Sequence, residues 1–249
     1  MTTMTSNATS FQGAIALITG SNKGIGFSTA RQLGEQGLTV LIGSRNKTRG
    51  EEAAQMLQNE NIQAKWIELD VSKQETIDNA AQQILNDYGR LDILINNAGI
   101  RLEGESPSQT LINKMRETFE INFFGAFAVM KAFIPLLQES NRARIVNVSS
   151  RAASFGKPLL PDRNALAYAT SKTALNMMTF QFDREFRNKN WNIKINSISP
   201  GLAKTDMNDN NENYPLPSEA ARIIVHFATL PDDGPSGAFF DRDKTQMPW

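Results

Sequence analysis

The chain contains no cysteine, and that absence removes several chemistries at once. Disulfide cross-links, thiol nucleophiles and thiolate metal sites are all excluded. Histidine is almost missing too: His226 stands alone, in the apolar stretch Ile223-Ile-Val-His-Phe227, and reads as a packed structural residue. One His and no Cys leave too few ligands for a transition-metal site, so no metal is expected. Neither sign of charge is in excess, since 26 Lys and Arg balance 26 Asp and Glu. A nucleic-acid partner or a membrane surface would call for a basic surplus. No apolar run reads as reaching the roughly 18 residues that span a bilayer. The opening Met1-Thr-Thr-Met-Thr-Ser-Asn-Ala-Thr-Ser10 has neither the basic nor the apolar region of a secretory signal. A soluble, cytoplasmic protein is expected, with residues 1–12 as a disordered tail.

What is present is alternation. The chain has 249 residues, 40% of them hydrophobic, enough for one sizeable core. Short β-branched runs at Ala14–Thr19, Leu38–Gly43, Ala64–Leu69, Leu91–Ile95, Ala143–Val148, Asn192–Ile198 and Ala238–Phe240 read as strands. Amphipathic stretches lie between them: Gly24–Gln36, Asn46–Asn59, Ser72 to about Tyr88, about Ser108–Gln138, about Ala165–Lys189 and Pro217–Leu230. Asn46 and Ser72 are the expected N-caps. Strands alternating with helices mean βαβ units and a parallel sheet covered on both faces. The strands are apolar nearly throughout, as burial on both faces requires. No linker or composition shift divides the chain. The expectation is an α/β, single-domain Rossmann fold over 13–249, doubly wound, with a parallel sheet of about seven strands.

The first strand runs straight into Thr19-Gly-Ser-Asn-Lys-Gly-Ile-Gly26, which opens the first helix. Gly20, Gly24 and Gly26 allow a tight turn and a close backbone approach. Exposed N–H groups at the helix start, aided by the helix dipole, form an anion site. In a strand–turn–helix setting the natural ligand is a dinucleotide pyrophosphate, lying against Gly20, Ser21, Asn22, Lys23, Gly24, Ile25 and Gly26. The end of the second strand then selects the cofactor. An acid about twenty residues beyond the glycines would bind ribose hydroxyls. Here the chain reads Leu41-Ile-Gly-Ser-Arg45, and Lys23 in the turn can reach the same region. Arg45 and Lys23 without a carboxylate suit a 2′-phosphate, so NADP(H) is expected. The alternative is that both are solvated surface charges.

In Ala167-Tyr-Ala-Thr-Ser-Lys172, Tyr168 and Lys172 stand four apart and share a helix face. A free Tyr, with a pKa of about 10, exchanges protons poorly at neutral pH. A nearby ammonium favours the phenolate and lowers that pKa. Such a pair can do acid–base chemistry on an alcohol or a carbonyl. A half-buried Tyr beside a solvated Lys would have the same spacing.

The glycine spacing resembles the TGxxxGxG signature of the short-chain dehydrogenase/reductase family, and further motifs come in the family's order. Asn96-Asn-Ala-Gly99 resembles the family's NNAG, Asn122 in Ile121-Asn-Phe-Phe-Gly125 its helix Asn, Ser149-Ser150 its strand-five serines, and Tyr168 and Lys172 its YxxxK. NKGIG, NNAGI, NFFGA and VNVSS are similar to the carbonyl reductase branch. The resemblance spans nearly the whole chain beyond the tail.

That resemblance implies specific roles. Asp70 and Val71 would lie by the adenine ring, and Asn97, Ala98 and Gly99 would let the backbone approach the cofactor. Pro200, Gly201 and Thr205 would sit by the nicotinamide. Tyr168 would donate a proton to the substrate oxygen. Lys172 would lower the pKa of Tyr168 and bind ribose, and Ser150 rather than Ser149 would hold the substrate oxygen. Asn122 would hold a water that links Lys172 to solvent, or would kink its helix. The expected partner is a small-molecule carbonyl or alcohol, an aldehyde, ketone or quinone, in a pocket of segments Ile100–Pro107, Arg151–Ala167 and Asp206–Pro217. Phe155, Leu159, Leu160, Met207 and Tyr214 would give it an apolar lining. Asp206–Pro217 reads either as a mobile lid or as a plain surface loop.

The stretch between Ser150 and Tyr168 is a few positions longer than in compact members, yet shorter than the insertion of monomeric carbonyl reductases. Pairing through the two long helices is therefore open, and a homodimer or homotetramer is expected. The rival functional reading is a non-catalytic NADPH-binding redox sensor on the same fold. Sugar-nucleotide epimerisation or dehydration would need a different glycine spacing and a longer C-terminal region.

Overall fold

A computed structural model describes residues 11–102, 104–156 and 164–249. Strand β1 (Ile15–Thr19) is an interior strand of the sheet, buried along its whole length. Successive strand side chains point to opposite faces. Ile15 and Leu17 therefore join one core layer, and Ala16 and Ile18 the other. The chain continues through α1 (Gly24–Gly34), β2 (Thr39–Ser44), α2 (Lys47–Asn59), β3 (Ala64–Glu68), α3 (Gln74–Tyr88) and β4 (Ile93–Asn96). It then forms α4 (Ile112–Phe119), α5 (Ala126–Gln138), β5 (Ala143–Val148), α6 (Leu166–Asn188), β6 (Ile193–Ser199), α7 (Pro217–Ala228) and β7 (Phe239–Asp241).

The strands pair in the order β3-β2-β1-β4-β5-β6-β7, every pairing parallel. Helices α1, α2 and α7 pack on one face and α3, α5 and α6 on the other. This is the doubly wound arrangement that the alternation implies. Strand order reverses between β1 and β4, and the crevice at their carboxyl ends is where such sheets bind ligands.

Element boundaries fall within a few residues of expectation, with physical reasons for the differences. Asn46 caps α2, its side chain accepting from the Arg49 N–H at 2.9 Å. Ser72 does not cap α3. Its N–H and hydroxyl both donate to Asp70 Oδ1, at 3.1 and 2.7 Å, and Lys73 takes the cap position without a side-chain bond. The single helix expected over 108–138 is a composite. A 3₁₀ turn (Pro107–Gln109) precedes α4, and a π-helical turn (Glu120–Gly125) joins α4 to α5.

Contrary to the expectation for apolar runs, Ile112–Gln138 is long and apolar enough to cross a membrane by length and composition. Here its apolar positions Val129, Met130, Phe133 and Leu137 lie wholly buried under the sheet. Residues 1–10 of the expected tail lie outside the described residues. Phe11, placed in that tail, is buried, with the guanidinium groups of Arg142 and Arg144 at 5.4 and 5.6 Å from its ring. His226 is half-buried in α7, and burial holds its pKa below the ordinary value.

Candidate active site

The carboxyl ends of β1 and β4 interlock through side chains. Thr19 Oγ1 accepts from the N–H groups of Asn97 and Ala98, both at 3.0 Å. Asn97 Nδ2 donates back to the carbonyls of Thr19 and Gly20, at 2.8 and 3.1 Å. The glycine turn is built against this. Gly20 has φ +64°, and a Cβ there would lie 3.0 Å from the Ala98 backbone. A Cβ on Gly26 would lie 2.5 Å from Asn97 Nδ2 and 2.9 Å from the Gly20 carbonyl. Ser21 turns inward, its hydroxyl donating to the Ile18 carbonyl at 2.7 Å.

Lys23 holds the N-cap position of α1 without a side-chain cap, which leaves the first turn's N–H groups for a ligand. Asn22 and Ile25 flank this opening, half-buried. A cradle that bare glycine keeps open, ending in an uncapped helix, fits a dinucleotide pyrophosphate.

The other expected residues gather around the same crevice. Asn122 lies in the π-helical turn and is buried. Its Oδ1 accepts from the Ile100 N–H at 2.8 Å, and its Nδ2 donates to the Ile100 carbonyl at 2.9 Å and to Ser171 Oγ at 3.0 Å. Ser171 in turn donates to the Tyr168 carbonyl at 2.7 Å. Gly99 sits between these groups, since a Cβ on it would lie 3.3 Å from both Asn122 Oδ1 and Lys172 Nζ.

Lys172 is 3% exposed, and its Nζ donates to the Val148 carbonyl at 2.8 Å. The ammonium lies 5.8 Å from the centre of the half-buried Tyr168 ring. Burial pulls the Lys172 pKa down to about 8.

The two serines after β5 differ in their commitments. Ser149 is buried and its hydroxyl donates to Asn176 Oδ1 at 2.7 Å. Ser150 Oγ only accepts, from the Ala152 N–H at 3.2 Å, so its hydroxyl proton is uncommitted among the described residues. Asn96 ties β4 to β5, its Nδ2 donating to Asn147 Oδ1 at 2.8 Å.

Asp70 spends one carboxylate oxygen on Ser72, while Val71 packs beneath it, buried and facing Gly125. Pro200 is buried, and Gly201, at φ +80°, lies under the Arg242 side chain. The Thr205 methyl would touch a Cβ on Gly24 at 3.4 Å, so the segment after β6 reaches the glycine turn.

Arg45 is exposed and makes no ion pair among the described residues. Lys23 differs from expectation: it pairs with Asp206, holding that carboxyl below its ordinary pKa. Phe155 and Met207 are exposed, whereas Leu159 and Leu160 lie outside the described residues. Ser171 and Asp206 were not foreseen, because their contacts join residues distant in sequence.

The short chain dehydrogenase family model matches residues 14–215, from the start of β1 to the threshold of α7. The chain belongs to that family. It is 33% identical to a (+)-neomenthol dehydrogenase of Capsicum annuum, over 92% of this chain and 96% of the relative. It is 30% identical to carbonyl reductase [NADPH] 1 of Rattus norvegicus, over 94% and 98%. The structure of salutaridine reductase from Papaver somniferum superposes with a TM-score of 0.79 at 31% identity, covering 91% of this chain and 99% of that one. The chain is therefore an oxidoreductase of a family that binds nicotinamide cofactors and acts on small molecules.

Proposed function

We propose that the chain is an NADP(H)-dependent reductase that converts an aldehyde, ketone or quinone to an alcohol, with Tyr168 as proton donor. The observation that carries this is Lys172: an ammonium buried to 3% exposure beside Tyr168, with no carboxylate pairing it among the described residues. A buried, unneutralised cation is costly, and its field favours the phenolate left when Tyr168 gives up its proton. Ser150 donates its hydroxyl to the same substrate oxygen. The bond of Ser149 to Asn176 supports giving that part to Ser150. Asn122 clamps Ile100 to Ser171, which fixes the loop after β4 against α6. Its amide serves this clamp, and a water linking Lys172 to solvent would have to use what the clamp leaves free, such as the second lone pair of Oδ1.

The glycine turn and the α1 N-terminus would hold the pyrophosphate, and Asn97–Gly99, Pro200 and Gly201 would line the nicotinamide half. Arg45 would take the 2′-phosphate, joined by Lys23 once it leaves Asp206. When bound, the nicotinamide supplies the hydride, and the protein supplies orientation and charge. Relatives named for NADPH support this cofactor choice.

Leu102, Phe155, Leu202 and Met207 are exposed apolar residues on the segments that follow β4, β5 and β6, and they would suit a medium-sized apolar carbonyl. The alignment with the Capsicum relative runs over 308 positions against 249 residues here, so that relative carries segments this chain lacks. Its substrate therefore does not transfer directly.

The test is NADPH consumption against a panel of aldehydes, ketones, quinones and steroids. Tyr168→Phe should lose about 10²- to 10⁴-fold in turnover while still binding NADPH. Full activity in that variant would end the mechanism, and tighter binding of NADH than NADPH by the wild type would end the cofactor assignment.

A further inference from the structure

We propose that Arg151 is a positioning residue for Ser150, and that the C-terminal segment 239–249 is the anchor it pulls against. The proposal rests on the reading of Ser150 as the group that holds the substrate oxygen.

Ser150 lies just beyond the sheet. The last β5–β6 partners are Val148 and Ile198, and the last backbone bond runs from the Ser149 N–H to the Ile198 carbonyl at 2.7 Å. Past Ser150 the chain makes one 3₁₀ turn, Arg151–Ala153, too short to fix a hydroxyl by itself. Arg151 supplies the missing restraint. Its N–H donates to Ser199 Oγ at 3.1 Å. Its Nε donates to Asp241 Oδ2 at 2.8 Å, and Nη2 donates to the same oxygen. Ser199 and Asp241 are register partners on β6 and β7, so Arg151 straps across the ends of two neighbouring strands.

The anchor is itself fixed. Asp241 is wholly buried, and its Oδ1 accepts from the Arg242 N–H at 2.9 Å. The chain then turns back: the Asp241 N–H donates to the Thr245 carbonyl at 2.9 Å, and Phe240 bridges Gln246 in antiparallel fashion. This return brings Pro248 to the far end of the Ser150 loop, where Ser154 Oγ donates to the Pro248 carbonyl at 2.8 Å. Trp249 closes the clasp by stacking on Phe239, ring centres 6.1 Å apart.

A buried carboxylate whose cation stands half in solvent is a poor device for stability, since an apolar pair would serve as well. It is a good device for geometry, because two guanidinium donors converging on one oxygen fix the direction of the side chain. A lysine would keep the charge and lose that direction.

The test compares Arg151→Ala, Arg151→Lys, Asp241→Asn, Ser150→Ala and the Arg151→Ala/Ser150→Ala double variant, in kcat for carbonyl reduction and in Kd for NADPH. Arg151→Ala and Asp241→Asn should each lower kcat about tenfold to a hundredfold, the scale of a reacting group displaced by about 1 Å. NADPH affinity should stay within about twofold, and Arg151→Lys should recover part of the loss. Adding Arg151→Ala to Ser150→Ala should cost nothing more, because the two act as one unit. Three results overturn the proposal while sparing the reductase reading, provided Ser150→Ala is impaired: a normal kcat in Arg151→Ala, losses that multiply in the double variant, or parallel loss of NADPH binding. A fully active Ser150→Ala overturns the role given to Ser150 and this proposal with it.

Discussion

At the scale of single residues the decisive side chain is Lys172. Its four-residue offset from Tyr168 is visible in the sequence, but its burial is not. The Val148 carbonyl and Gly99 that enclose it come from other elements, so spacing alone favours a solvated lysine. Burial has a measurable consequence. An unfolded Lys titrates near 10.4, whereas burial brings Lys172 to about 8. Between those values the unfolded chain holds more protons than the native one, so native stability rises with pH there. The penalty for the buried ammonium is fully present below pH 8 and is relieved by about pH 10.5, on the order of 3 kcal/mol in all. Lys172→Met removes the group, so relative to the wild type it should be favoured near pH 7 and lose that advantage as pH rises. Urea unfolding of both proteins across this range checks it. A difference that stays flat with pH would show that the ammonium is hydrated. Turnover should also fall on the alkaline side, as Tyr168 loses its cationic neighbour.

At the scale of elements the glycine turn was readable because it has one physical solution. A strand that must turn sharply into a helix around an anion needs backbone without side chains. The structure adds a cause that the sequence hid: Gly26 is bare because Asn97 occupies the space of its Cβ, at 2.5 Å. Gly26→Ala must therefore push Asn97 off the Thr19 and Gly20 carbonyls. A loss of about 1–3 kcal/mol in stability is expected from such overpacking, together with weaker NADPH binding. Thermal unfolding and a fluorescence titration measure the two, and wild-type values in both would show that the turn yields freely. The strands were legible because burial on both faces makes them nearly continuous apolar runs, as in β1 (IALIT) and β4 (ILIN). The break at Glu120–Gly125 was not, because a π-helical turn keeps the apolar character of the helices it joins. Ser72 misled for a similar reason: the residue that could cap a helix could equally bond to Asp70, and the latter prevailed. The pairs Lys23–Asp206 and Arg151–Asp241 lie beyond any local pattern, since folding alone brings their partners together.

At the scale of the whole molecule, strand–helix alternation was enough to anticipate seven parallel strands and the crevice beside β1, because right-handed crossovers leave few ways to wind such a chain. What alternation does not say is which outer faces remain open. Helices α5 and α6 cover one side of the sheet, and apolar side chains project away from it. Phe124 and Phe127 are 52% and 41% exposed at and beside the start of α5, and Met177 and Phe180 are 58% and 37% exposed on α6. Phe127 and the α6 residue Phe182 have ring centres 6.2 Å apart, which joins the two helices into one continuous surface. Scattered exposed apolar residues are ordinary, but rings and a thioether on adjoining helices are what an interaction site would present. With no excess charge on the chain to keep copies apart, the occupant expected is a second copy, pairing these helices about a two-fold axis. Sedimentation of the 27.6 kDa chain should then give a dimer mass or a multiple of it. Phe127→Asp combined with Met177→Asp should yield a folded monomer with unchanged NADPH affinity, because neither residue faces the crevice. A wild type that sediments as a monomer at micromolar concentration would show that this face serves a different partner. A double variant that still dimerises would place the contact elsewhere on the molecule.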